Sequence, residues 1–242
     1  MSDNSSIEIP KPDARDKLHK LVTSVVSPIP YASEIISAIV KPPLESRVNE
    51  FWQMVLDSLL KLQEQYEDFD IDNLPHNDKF VTAMLQITRI AVENHQQEKR
   101  ETLRNAVLNS ALPTAPDDDR QQIFLRLLDE LTVVHVKILQ LFQIEVNAIA
   151  QLSLNLDSDS WRRNSQLSDL GVLVERMYPE MYGQFGLSVQ IIQDLHARGL
   201  ISNTFFSSPA RLIRKTQSPM LTPLAEEFLR FITSPLAVTD HN

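Results

Sequence analysis

Apolar residues recur at intervals of three and four along most of this chain, the period of a helix with one buried stripe. Leu44, Val48, Phe51, Trp52, Val55, Leu59 and Leu62 form one such stripe, and Phe80, Val81, Met84, Ile87, Ile90 and Ala91 form a second. The second is interrupted by ENHQQEKRET, which has no apolar residue, and resumes at Leu103, Ala106, Val107 and Leu108. The most regular stripe runs through Ile123, Phe124, Leu127, Leu128, Leu131, Val134, Ile138, Leu141 and Phe142, with continuation expected towards Leu154. Upstream, residues 1–12 read as a disordered leader. One amphipathic helix is predicted from Asp13 to about Val26, and a short apolar one from about Tyr31 to Val40, stopped by Pro42 and Pro43. FDIDNLPHND reads as a linker, with Asp78 as the expected cap of the helix that follows.

After NLDSDSW the elements shorten, which places a domain boundary near residues 155–163. LSDLGVLVERMY and LSVQIIQDLHAR predict two helices, with Val189, Ile192 and Leu195 inward on the second. Gly199 stands where a helix end commonly needs positive φ. Leu200 and Ile201 open a predicted strand, Ala210 to Lys215 offer its return, and LTPLAEEFLRFI closes with a helix capped by Thr222 ahead of Pro223. The order of helix ending in ARGLI, extended pair and LTPLAEEFLRFI resembles the winged-helix superfamily. The expected fold class is all-α: a helical bundle over 13–155, then a small winged-helix-like module with a short β-hairpin over 163–235.

Composition narrows the picture. Only 4 glycines occur in 242 residues, against 14 prolines that fall between the periodic segments. The absence of cysteine excludes disulfides, thiolate metal sites and cysteine nucleophiles, and fits a reducing compartment. The polar, acidic opening lacks signal-peptide order, and no long uninterrupted apolar run occurs, so the expected location is the cytoplasm. The net charge of −9 is uneven. Residues 161–242 hold 8 Lys and Arg against 7 Asp and Glu, whereas residues 1–160 hold 15 against 25. An acidic body repels phosphate backbones, which confines any nucleic-acid contact to the C-terminal third.

The candidate chemistry is thin. A DNA reader needs donors at the start of its recognition helix. Residues 187–198 carry no Lys or Arg in their first two turns, and Asp194 adds a carboxylate to the polar face. Arg211, Arg214 and Lys215 in the expected wing are the candidate phosphate contacts. His95 and Glu98 share a helix face, and Asp129 and His135 lie on the long stripe, so these four form a candidate polar cluster. Their spacing does not match the Glu-x-x-His pairs of helical di-metal sites, HExxH is absent, and no metal or cofactor is expected. No GxGxxG, GxxxxGK[ST] or GxSxG pattern occurs, so no catalytic residue is assigned. Trp52, Trp161, Tyr178, Tyr182 and Phe185 are candidate anchors for a protein partner. Residues 21–43 could alternatively meet a bilayer surface through Ile36, Ile39 and Val40, yet the basic face of an interfacial helix is missing there.

The apolar N-terminal hairpin, the helical middle with EKRETLRNAVLNSAL and the closing LTPLAEEFLRFI together resemble bacterial proteins of the abortive-infection-alpha type. The resemblance implies a bacterial, intracellular protein linked to phage defence, and carries no assigned residue roles. The leading expectation is a non-enzymatic interaction or regulatory protein with a protein partner, itself or another. A DNA-binding transcriptional regulator and a membrane-perturbing effector are the alternatives; neither nucleic acid nor membrane is favoured as partner.

Overall fold

The computed structural model describes residues 34–143, 171, 174–202 and 221–236, with 34–45 as backbone only. The described elements are helical. They are α1 (Glu34–Gln65), a 3-10 turn (Ile71–His76), α2 (Asp78–Glu93), α3 (Gln97–Ala111), α4 (Asp118–Glu130), α5 (Val133–Gln143), a second 3-10 turn (Pro179–Met181), α6 (Phe185–Ala197) and α7 (Pro223–Ile232). Residues 174–177 are also helical. The described residues therefore have the expected all-α architecture, and the chain is organised as two compact units: residues 1–128 with 233–242, and residues 129–232. The expected boundary at 155–163 and the leader at 1–12 lie outside the described residues.

The first unit is built on α1, α2 and α3, each packed on the other two. Their stripes meet in a core where Phe51, Val55, Leu59 and Leu62 face Phe80, Met84, Ile87, Leu103, Ala106 and Val107, all nearly or wholly removed from water. Phe51 and Trp52 stack edge-on at 6.3 Å, and Trp52 is 7 % exposed, so this tryptophan is core rather than a surface anchor. Three boundaries differ from the sequence expectation. Helix α1 runs through Pro42 and Pro43, which lack the N–H groups that would donate to the carbonyls of Ala38 and Ile39. The cap of α2 is Asn77, whose Oδ1 accepts from the Phe80 amide at 3.1 Å, and Asp78 is the first helical residue. The polar stretch ENHQQEKRET is a corner: α2 ends at Glu93, Asn94 Nδ2 donates to the Ile90 carbonyl at 2.7 Å, and α3 begins at Gln97. Within the next turn Lys99, only 3 % exposed, donates from Nζ to the Leu128 carbonyl at 2.5 Å and so satisfies the C-terminal end of α4.

The second unit gathers α5, α6 and α7, with α5 packed on both of the others. The long stripe from Ile123 is two helices, because Leu131 and Thr132 separate α4 from α5, and Ile123 itself is 44 % exposed. Helix α6 ends in a Schellman pattern: the Gly199 amide donates to His196 and the Leu200 amide to Leu195, with Gly199 at φ 72°. Ile201 then pairs with Leu221 in an isolated antiparallel bridge, which is the β pairing among the described residues. The returning strand expected at 210–215 lies outside them. Thr222 opens α7 as expected, its Oγ1 accepting from the Ala225 amide at 3.2 Å and donating to the Gly199 carbonyl at 2.7 Å. Ala225, Phe228, Leu229, Phe231 and Ile232 of α7 are buried.

Candidate docking surface

In the second unit the segment from Tyr178 to Leu195 turns the chain and presents it. Pro179 opens the 3-10 turn, Met181 is buried beneath it, and Gly183 takes φ 76°, a conformation that L side chains adopt only under strain. Helix α6 starts two residues later without a side-chain cap. Its inner face is Ser188, Ile191, Ile192 and Leu195. Val189, expected inward, is only partly covered. The end of the 3-10 turn and the start of α6 leave large apolar side chains exposed: Tyr182 is 83 % exposed, Phe185 39 % and Leu187 47 %. Phe185 lies against bare backbone, because a Cβ on Gly171 would stand 2.8 Å from its ring. A larger residue at 171 would push the ring from this position.

Polar contacts hold the base of this surface. Tyr178 donates from its hydroxyl to the Lys137 carbonyl at 2.7 Å, and Lys137 Nζ meets Glu180 Oε1 at 2.9 Å. Burial pushes the Tyr178 phenol up from its ordinary value, and the Lys137 hydrogen bond holds the Glu180 carboxyl below its own. At the other end of α6, Arg198 Nε donates to Asp194 Oδ2 at 2.7 Å and its guanidinium also pairs with Glu130. Those two carboxylates raise Arg198 further above its already high value, Asp194 contributing most. His135 Nε2 stands 3.3 Å from the same Asp194 oxygen. Its Nδ1 faces the Thr132 hydroxyl at 2.7 Å and accepts from the Thr132 amide at 3.3 Å. Thr132 precedes α5 by one residue, so the His135 ring reaches back to the amide ahead of the helix, the part that Glu or Gln plays in one half of a capping box. The amide contact makes Nδ1 an acceptor, which leaves the ring proton on Nε2, facing Asp194.

The sequence-derived candidates separate accordingly. Of the polar cluster, His95 and Glu98 belong to the first unit, both exposed, His95 in the α2–α3 corner and Glu98 in the first turn of α3. Asp129 and His135 belong to the second unit, and His135 is a hydrogen-bonded helix-start residue. Among the described residues no group of three or more His, Cys, Asp or Glu is placed to hold a metal ion. Arg211, Arg214, Lys215 and Trp161 lie outside the described residues. So do residues 21–33 of the apolar hairpin, and no described helix is long and apolar enough to cross a membrane. Sequence reasoning missed Leu187 as an exposed residue. It also missed the Glu130–Arg198–Asp194–His135 network, whose signals were the Asp194-x-x-x-Arg198 spacing and the Thr132-x-x-His135 capping pattern. No family model matches the chain, and no curated protein or solved structure does.

Proposed function

We propose that this chain is a non-enzymatic interaction or regulatory protein that docks a protein partner on the apolar opening of α6. One observation carries the reading: Tyr182, Phe185 and Leu187 are large, apolar and exposed within six residues, the first just after the 3-10 turn and the other two on a helix whose other face is buried. Grouped exposed apolar side chains mark contact sites, and aromatic residues dominate the energy of such contacts. The resemblance to abortive-infection-alpha proteins adds a setting, a bacterial cytoplasmic protein of phage defence. The finer fold we propose for the C-terminal unit is winged-helix-like, with a hairpin between Ile201 and Leu221. The Schellman end at Gly199, the Ile201–Leu221 bridge and the Thr222 cap support it.

That finer fold keeps a DNA-binding regulator as the second reading, through Arg211, Arg214 and Lys215. The electrostatics of α6 weigh against it. Its opening turns expose apolar groups where a reader needs donors, and Arg198 at its far end is engaged by Asp194 and Glu130. The double change Tyr182→Ser with Leu187→Ser tests the docking reading, since both side chains are exposed and the fold should tolerate their loss. The variant should keep the wild-type melting curve and lose the assembly that the wild type forms in its host cell. Unaltered assembly by the folded variant would sink the proposal. A duplex-binding titration across salt concentrations separates the second reading, because only a polyanion contact gives a steep decline with salt.

A further inference from the structure

Helix α7 ends at Ile232, and the residues that follow it, from Thr233, belong to the first unit. Two side chains hold them there by their backbone. Asn109, near the end of α3, donates from Nδ2 to the Thr233 carbonyl at 2.8 Å and to the Asn105 carbonyl of its own helix at 3.0 Å. Both acceptors are carbonyls, so the nitrogen of this amide must face them and its orientation is settled. Tyr66, directly after α1, donates from its hydroxyl to the Pro235 carbonyl at 3.4 Å. The two carbonyls are two residues apart, the spacing at which an extended chain turns its carbonyls to one side. Pro235 favours that shape. Its ring fixes its own φ, biases Ser234 towards extended backbone and leaves no N–H in need of an acceptor. The next amide, that of Leu236, donates to Ser234 Oγ at 3.3 Å.

The hold is graded. The inner contact is short, and its amide is anchored to its own helix; the outer one is long for a hydroxyl donor and comes from a side chain 44 % exposed. Thr233 and Ser234 are exposed, and Pro235 and Leu236 are only partly buried, so apolar burial adds little. A neutral hydrogen bond shifts an equilibrium by about two- to tenfold, and fixing the backbone of one residue costs at least as much. Two such bonds, one of them loose, against four ordered residues leave the closed and open forms close to balance. We propose that residues 233–236 are a reversible strap: closed, it occupies the Tyr66 hydroxyl and the Asn109 amide; open, it releases both donors. The strap peels from its loose outer contact inward, because the Thr233 carbonyl is held more firmly than that of Pro235. The docking surface on α6 belongs to the other unit, and the strap does not depend on it.

The experiment compares the Ser234 and Leu236 amide signals of the full-length chain, by nitrogen-15 NMR, with those of a free capped peptide of the same four residues, Thr-Ser-Pro-Leu. The peptide supplies the open reference. In the wild type both signals should lie away from that reference, and in the variants they should move along one line towards it, as a shift of population between two forms requires. Asn109→Ala should raise the open-to-closed ratio by about five- to tenfold, the upper part of the range for a neutral hydrogen bond. Tyr66→Phe should raise it by about twofold, the lower end of that range, and should move Leu236 more than Ser234. The second variant removes only the hydroxyl of an exposed side chain, so it leaves the fold in place even where Asn109→Ala disturbs α3. Wild-type signals that already coincide with the free peptide would overturn the strap, and so would signals that stay in place in either variant.

Discussion

Thr222 offers the sharpest test of how the C-terminal unit is held together, because one hydroxyl serves two elements. As acceptor it caps α7 through the Ala225 amide at 3.2 Å; as donor it ties the Gly199 carbonyl at 2.7 Å. Thr222→Ala removes both. Loss of a threonine cap costs about 0.5–2 kcal/mol, and loss of a neutral hydrogen bond about 1 kcal/mol. The sum is about 1.5–3 kcal/mol, felt on a helix that buries Phe228, Leu229, Phe231 and Ile232. Thr222→Ser keeps the hydroxyl and should cost a small part of that. With two compact units in the chain, a single global melting curve would mix their responses, so the local reading is amide hydrogen exchange in α7. Thr222→Ala should speed exchange at Phe228 and Leu229 by about 10- to 150-fold, since each 1.4 kcal/mol is a factor of ten. Exchange within threefold of wild type in Thr222→Ala, or equal damage from Thr222→Ser, would refute the two-bond account.

Two further outcomes follow from the packing and the charges. Leu59→Ala empties a site with no solvent exposure in the first unit and should cost about 2–5 kcal/mol in urea unfolding, whereas Ile123→Ala, 44 % exposed, should cost little. Tyr178, its phenol raised by burial, keeps its proton in the folded chain at a pH where the unfolded chain has released it. Its contribution is thus complete below about pH 10 and declines as pH climbs past that point. Tyr178→Phe should flatten the alkaline loss of stability, measured by urea unfolding at a series of pH values, while lowering stability at neutral pH through the lost bond to Lys137.

The stripes were legible because burial of one helix face repeats with the helix itself. Phe51, Leu59, Met84, Ile87, Leu103 and Leu128 are all core, as their spacing implies. Helix ends were less legible, because neighbouring residues compete for the same role. Asn77 and Asp78 are both good caps, and the position three residues before the Phe80 amide decided for Asn77. The prolines at 42 and 43 misled, since a helix can lose two rungs and continue when its other bonds remain. Leu131 and Thr132 look like interior residues of one long stripe, yet a new helix starts after them, with the His135 ring accepting from the Thr132 amide. At the candidate surface, Tyr182 and Phe185 stood out by type. Leu187 did not, because exposure depends on which neighbours arrive. Glu130 reaches Arg198 across 68 positions, a pairing that no local spacing announces.

The most direct measurement places a photoreactive phenylalanine analogue at position 182, the most exposed of the large apolar side chains among the described residues, and irradiates living host cells. The docking account predicts one discrete crosslinked protein band, lost when Leu187→Ser is added and absent when the probe sits instead at Gln193 on the exposed polar side of α6. A band that survives Leu187→Ser, an equal band from position 193, or crosslinks to nucleic acid would contradict it.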